Sequence, residues 1–485
     1  MPDYKKSSVP LLLALIGAVY IATLAPGHSW LYGDFSMYIA HARNIALGWP
    51  YRATGYIYNA SNPYIGPQNY PPGFPLALAP VYKFFGLNLV AFKAENVLFL
   101  LAALFCVYRL ARRGLGESGA LAVMLFTALN PWFMGFRNFI YADWLSMFFM
   151  LAALLAADDG LVSRRQGIAA GLLAFAAYAV RPVGVCALAA IIAGELYAKR
   201  KPARPLLFAC VAFAGSCIAQ ALWLHPDFSA YGLMISHDNV GHRAVWYMGL
   251  IVKLLKPFFE FFYFNESRYD FAFTASLPLG AMCLALCGVY YNARLRSRAI
   301  NALDFFVPLY ALSMVAAYDW QRNFFPIAPL YLYQAAMGWK ILADRDKEPS
   351  SRLPAVFVCS TLLAVYAFSY IHYYRPMDPQ LNVENTDSRL MFDAVKKNTR
   401  TQDIIICRKP RIMALYTLRR SAVYPISGPE KEYMDYFKSL GARYLVIGRI
   451  FEGDTTVMLP MIRDNPSDFR LVYENPGFRV FEIRY

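Results

Sequence analysis

The sequence predicts an α-helical polytopic membrane protein that ends in a small α/β unit. Three observations carry this. The 485 residues are 58% hydrophobic and only 16% charged, whereas soluble domains average about 25% charged residues. Apolar runs of near-span length recur along most of the chain, and the mean hydropathy is +0.34. Charge density then rises sharply: residues 376–485 carry 17 Lys and Arg and 14 Asp and Glu, against 30 and 18 in the 375 residues before them. The expected division is a membrane domain over 1–375 and a soluble α/β domain over 376–485. Disorder, collagen and small disulfide scaffolds are excluded by the same composition. The net charge of +15 sits mostly in the membrane part, where Lys and Arg set topology. No basic, aromatic-interleaved pattern for nucleic acid occurs.

The first apolar run, 9–25, follows Lys5 and Lys6. It reads as an uncleaved signal anchor, because further spans follow and no small-x-small site precedes Gly27. Later candidate spans are roughly 90–110, 118–135, 142–157, 166–180, 182–198, 205–224, 271–291, 301–317, 323–341 and 353–372, about eleven in all for a hydrocarbon core of roughly 30 Å. With the N-terminus inside, 18 of the basic residues fall in short inner loops, from Lys5-Lys6 through Arg113, Arg165 and Lys199 to Arg352. This obeys the positive-inside rule, and an odd span count puts the C-terminal domain outside. The outer segments are then 26–89, 136–141, 225–270 and 318–322. In the first, Tyr70-Pro-Pro-Gly-Phe-Pro75 leads into an apolar stretch ending at Gly86, read as a short dipping helix. No internal repeat is found, which disfavours repeat-built transporters. In the tail, 403–407, 422–424, 443–450, 470–473 and 478–483 read as strands, the last two joined by an Asn475-Pro-Gly477 hairpin. Residues 387–398 and 429–440 read as helices.

The chemistry-bearing residues gather in the outer segments. Asp34 directly follows the first span, and the run from Phe35 to Leu47 reads as an interfacial helix stopped by Gly48. Asp143 stands at the outer start of a later span. Either carboxylate could be a plain helix cap. Both fall on one face of the membrane, however, where one can act as base on a hydroxyl while the other orients it or binds a cation. Arg137, Arg181, Arg243 and Arg322 lie on the same face. Arginine suits a phosphate leaving group through its planar donor fork. Asp319 and Arg322 could also form a local ion pair. His225, Asp227, His237, Asp238 and His242 share one loop, but their spacing matches no zinc pattern. Two carboxylates with water could hold a divalent metal, and no other cofactor is called for. Seven of the eight cysteines lie in apolar runs and read as packing residues. Cys407 is alone in the tail, so no disulfide framework is expected.

Together these segments resemble the GT-C fold glycosyltransferases of the protein-mannosyltransferase and aminoarabinose-transferase type. Four stretches match in order: Gly33-Asp34…Tyr38…Ala42…Gly48, the proline pair of Tyr70–Pro75, Ala142-Asp143, and Arg322-Asn-Phe-Phe-Pro-Ile-Ala-Pro329. Some relatives carry a second acidic residue after the first, where this chain has Phe35. The resemblance implies a glycosyltransferase of the bacterial inner membrane that uses a polyprenyl-phosphate sugar donor. A glycan, lipid or protein acceptor would enter from outside. Asp34 would take the acceptor proton and Asp143 would position the acceptor or a metal. Tyr38, Arg137, Arg181, Arg243 and Arg322 would contact substrate, with the arginines at the departing phosphate. The sugar would be a hexosyl or pentosyl group, inverted if displacement is single-step. The competing readings are a transporter or flippase of lipid-linked sugars, which predicts ionisable residues in mid-span (Asp304 comes nearest), and a polytopic scaffold whose outer domain binds a partner.

Overall fold

The computed structural model describes residues 8–201, 203–224, 301–315, 321–345, 352–372 and 377–485. The expected span 271–291 and the loop carrying Arg243, His225, Asp227, His237, Asp238 and His242 lie outside the described residues, as does Asp319.

The membrane part is helical. Its elements are α1 (Val9–Ala22), α2 (Asp34–Leu47), α3 (Gly73–Phe85), α4 (Leu89–Ala128), α5 (Pro131–Phe136), α6 (Asp143–Ala157), α7 (Arg164–Val180), α8 (Val185–Lys199), α9 (Arg204–Leu224), α10 (Ala302–Val315), α11 (Ala328–Arg345) and α12 (Arg352–His372). At about 1.5 Å per residue, α4 is too long for one crossing. Gly116, at φ 73° and ψ −171°, breaks it into two rods; the first covers the expected span 90–110, and the second ends at Ala128, short of the expected 118–135, whose remainder falls in α5. Among the described residues three helices are long and apolar enough to cross a membrane: Leu89–Ala128, Pro182–Lys199 and Arg204–Leu222. Val9–Ala22, Asp143–Ala157, Ala302–Ser313 and Leu362–Ile371 are apolar but shorter. The protein is thus a membrane protein with a C-terminal sheet.

Small residues let α7 and α9 approach closely. A Cβ at Gly167 would lie 2.1 Å from the Pro205 carbonyl oxygen, and one at Gly171 would lie 2.2 Å from that of Ala209. This is small-xxx-small packing, in which backbone contact replaces side-chain bulk. Gly171→Leu would have to push α9 away, since backbone cannot yield as a side chain does. The expected cost is about 1–3 kcal/mol, read as a lower Tm in detergent. An unchanged Tm would mean the two helices are not held at this contact.

Away from the site described below, polar residues staple the helix ends. Arg113 Nη1 reaches Asp158 at 2.6 Å and Asp159 at 2.9 Å, and Asn301 Nδ2 donates to Asp158 at 2.9 Å. Lys199 pairs with Glu195 at 2.6 Å and donates to the Leu161 carbonyl at 2.8 Å. Arg113 and Lys199, assigned from sequence to setting orientation, thus also tie α4, α6, α8 and the start of α10 together.

The C-terminal unit carries most of a six-stranded sheet: β1 (Tyr56–Ile57), β2 (Ile404–Cys407), β3 (Arg420–Ala422), β4 (Ala442–Gly448), β5 (Phe469–Glu474) and β6 (Phe478–Ile483), in the order β1-β3-β2-β4-β6-β5. The first four in that order run parallel, and β6 runs antiparallel to both its neighbours, β4 and β5. Around it pack α13 (Thr386–Asn398), α14 (Pro410–Thr417), α15 (Glu430–Leu440) and α16 (Leu459–Asp464). The helices α14 and α16 are not expected from the sequence, and two features of the strands depart from the sequence reading. The strand expected over 422–424 lies at 420–422, because the Val423 and Tyr424 carbonyls accept from Asn59 Nδ2 and Asn62 Nδ2, each at 2.9 Å. The sheet also borrows β1 from the segment between α2 and α3, registered Tyr56 to Ser421 and Ile57 to Ala422. One apolar cluster runs through both parts and contains Phe35, Phe74, Tyr141, Ile412 and Phe451. Trp30 sits within it against Phe392, Phe451 and Phe478, and donates to Ser388 Oγ at 2.9 Å.

Candidate active site

Asp34 is the first residue of α2, after Gly33, and makes no capping bond; Asp143 opens α6 in the same way after Ala142. The plain capping reading therefore fails for both carboxylates, which turn to arginines instead. Helix α2 ends where expected, at Gly48 with φ 69°. Every residue of it from Phe35 to Asn44 is buried. Contacts with α3 and with α14 of the C-terminal unit account for this.

Three donors hold the Asp34 carboxylate. Oδ1 accepts from the Tyr70 hydroxyl at 2.8 Å and from Arg411 Nη1 at 3.2 Å; Oδ2 accepts from Arg322 Nη2 at 2.9 Å. Burial alone would raise this carboxyl, but the Arg322 and Arg411 charges outweigh it and hold it at about 2. Because the folded value lies below the ordinary 3.8, Asp34 contributes stability above about pH 4, and that contribution is lost as pH falls toward 2.

Arg322 lies on the 3-10 turn Gln321–Phe324, with its guanidinium 4.2 Å from the centre of the Tyr141 ring. Burial would weaken its charge; Tyr141, Asp143, Asp34 and Tyr38 around it keep it well above the usual arginine range. It therefore stands within electrostatic reach of both carboxylates. Asp143 in turn accepts from Arg181 Nη1, and Arg181 Nη2 donates to Asn323 Oδ1 at 2.8 Å. The turn carrying Arg322 is anchored by Phe325 stacked on Trp144 at 4.7 Å, and by the Tyr310 hydroxyl donating to the Asn323 carbonyl at 2.7 Å. Arg181 follows α7, whose last turn is pressed by Gly73: a Cβ there would come within 2.7 Å of Val180 N. The proline pair and its glycine thus help to position an arginine more than a hundred residues later.

Tyr38 lies one turn after Asp34, its ring 4.8 Å from Tyr70 and 4.9 Å from Phe74. Behind it, His41 Nδ1 donates to the Tyr51 carbonyl at 2.9 Å, and its Nε2 accepts from Tyr70 N at 3.4 Å. Burial pushes His41 down to about 4, so the neutral ring serves as a strut for the Tyr70 backbone.

The structure thus brings together Asp34, Tyr38, Asp143, Arg181 and Arg322. Arg137 does not join them. Its guanidinium bonds the Met134 carbonyl and both the carbonyl and the hydroxyl of Thr23, at 2.8 and 2.6 Å, closing the end of α1. Arg322 pairs with Asp34; its expected local partner, Asp319, lies outside the described residues. Sequence reasoning missed Arg411 and Lys409, which lie on the far side of the chain. Lys409 donates to the Leu31 carbonyl at 3.0 Å. Burial first, and Arg408 and Arg411 next, draw it down to about 8 although Asp34 opposes them. The one local signal was Pro410, a residue type favoured at the first position of a helix.

Among the described residues no group of three or more His, Cys, Asp or Glu could hold a metal ion. Both carboxylates are engaged by guanidiniums, and this donor set does not fit a divalent cation.

No protein-family profile and no curated protein sequence matches the chain. Solved structures do. The archaeal oligosaccharyltransferase AglB from Archaeoglobus fulgidus, in complex with an inhibitory peptide and a dolichol-phosphate, superposes with TM-score 0.58 at 12% identity, over 92% of this chain and 70% of that one. ArnT from Cupriavidus metallidurans, bound to undecaprenyl phosphate, gives TM-score 0.58 at 13% identity over 98% of both chains. Arabinofuranosyltransferase AftD from Mycobacteria gives 0.50 at 13% identity, covering 98% of this chain and 40% of that one. The chain has the GT-C fold that these membrane glycosyltransferases share.

Proposed function

We propose that the protein is a glycosyltransferase that moves a sugar from a polyprenyl-phosphate donor to an acceptor hydroxyl at the outer face of a bacterial inner membrane. The observation that carries this is the chain of charges Asp34, Arg322, Asp143 and Arg181, assembled from four separate elements of a GT-C fold. The likeness to structures holding dolichol-phosphate and undecaprenyl phosphate supports the choice of donor. The positive-inside pattern supports an inner N-terminus and an outer α/β unit over about 376–485.

In this reading the acceptor oxygen attacks the anomeric carbon while the bond from that carbon to the phosphate oxygen breaks, its electron pair leaving with the lipid phosphate. The acceptor proton passes to Asp34. Arg322 and Arg181 face the negative charge that develops on the phosphate, where preorganised donors act most strongly. Asp143 holds Arg181 and orients the acceptor. A single displacement inverts the anomeric centre. When phosphate draws on Arg322, the hold on Asp34 loosens, and a carboxylate kept near 2 becomes a stronger base as the donor binds.

The test is a transfer assay on purified protein in lipid, with a panel of radiolabelled polyprenyl-phosphate sugars and a cell-envelope extract as acceptor. Label moving to acceptor is the expected result. Translocation of the labelled lipid across the bilayer without transfer would favour the flippase reading instead.

A further inference from the structure

The outer unit does more than cap the membrane part. Arg411 stands on α14, yet its side chain is only 3% exposed and reaches the carboxylate at the head of α2. Nη1 donates to the Tyr70 hydroxyl at 2.8 Å as well as to Asp34 Oδ1, and Nη2 donates to the Pro67 carbonyl at 2.8 Å. The guanidinium lies 5.2 Å from the centre of the Tyr56 ring and 5.3 Å from that of Tyr70. Space for it depends on Gly66, at φ +88°, where a Cβ would come within 2.6 Å of Nη2. The loop that encloses Arg411 is itself fastened to the outer unit. Ser421 N donates to the Gly55 carbonyl at 2.9 Å, and Asn59 and Asn62 bond the two carbonyls after β3.

The lone pairs of Asp34 are consequently unequal. Each carboxylate oxygen offers about two acceptor sites. Oδ1 has two donors, Tyr70 and Arg411, while Oδ2 has one, Arg322. We infer that Arg411 is a positioning residue: it pins Oδ1 so that Oδ2 faces the acceptor proton, which makes the outer α/β unit a working part of the reaction site. This rests on the transferase reading above. Arg411 acts through Asp34: both of its Nη atoms donate to protein atoms, and its buried Nε has no partner among the described residues. The other titratable groups facing Asp34 are Tyr70, Arg322, Tyr141, Lys409 and His28. Of the cations, Arg322 and Arg411 act on it most directly.

Two readouts test the inference on the full-length protein in lipid. The first is the pH profile of transfer. Arg411→Gln should lower kcat about tenfold or more and bring an acid limb upward by about one pH unit or more, with the donor KM little changed. Arg411→Lys should restore part of the loss. A loss carried wholly by the donor KM would overturn the inference, because it would mean that Arg411 binds substrate. The second readout needs no substrate: modification of Asp34 by a water-soluble carbodiimide, followed by peptide mass spectrometry across pH. Labelling of the variant carboxyl should set in at a higher pH than that of the wild type. Gly66→Ala, which displaces the guanidinium without removing it, should shift labelling in the same direction and serves if Arg411→Gln does not fold. Unshifted labelling in both variants overturns the inference. Shifted labelling with no transfer from any donor would instead sink the transferase reading and leave the role of Arg411 toward Asp34 standing.

Discussion

Asp34→Asn should reduce transfer by about 10²–10⁴-fold, the span that general-base catalysis contributes. The amide keeps the size of the carboxylate and can still accept at Oδ1 from Tyr70 and Arg411. It can neither take a proton nor pair with Arg322, so its NH₂ would meet another donor. The loss should therefore fall on kcat, with the donor KM moving less. Single-turnover transfer with saturating donor separates the two. Equal rates for variant and wild type would remove Asp34 from its role as base, whatever the standing of the enzyme as a transferase.

Arg322→Met should cost about 10²–10³ in transfer rate, as loss of one preorganised donor at a developing oxyanion does. It should also raise the donor KM, which distinguishes it from the Arg411 variants. Stability should fall as well: a fully buried ion pair broken from one side typically costs about 3–5 kcal/mol, and this pair is only partly buried, at 17% and 27% exposed. The lower end is expected, since Arg411 and Arg181 still engage the two carboxylates. Arg322→Lys would return charge but not the planar fork, and should recover stability better than rate. A donor KM unchanged in both variants would rule out a phosphate contact at this position.

The elements legible in the sequence were those specified by neighbouring residues. Gly48 stopped α2 where a left-handed residue was expected, and the Asn475-Pro-Gly477 turn produced the β5–β6 hairpin with Phe469 opposite Ile483. Asp34 and Asp143 stood out because each carboxylate begins an apolar helical run on the same predicted face. The partners of those carboxylates were harder to find. Arg137 and Arg181 looked alike in sequence, each a cation beside apolar runs. What separates them is where the chain turns: Arg137 meets the unpaired carbonyls of the α1 terminus, whereas Arg181 is aimed at Asp143 by the short turn before α8. Arg411 gave no sign beyond the helix start at Pro410, because its meaning depends on contact with residues 341 and 377 positions away. The shift of β3 has the same origin: Asn59 and Asn62 are unremarkable loop residues until they occupy the carbonyls that would have extended the strand.

The parallel pairing of β1 with β3 bears on how the molecule is made. The ribosome delivers Tyr56 and Ile57 long before Ser421 and Ala422, so the early strand must wait, unpaired, through the synthesis and insertion of the helices between. Contacts of such large sequence separation close late and slowly. The sheet can be completed only when the last hundred residues have emerged, and the same closure seats Arg411 beside Asp34. An enzyme built this way would acquire its charge network at the end of assembly. A chain truncated before residue 400 would leave the waiting loop without its partner strand, and an isolated tail would present β3 as an open edge ready to pair with another chain.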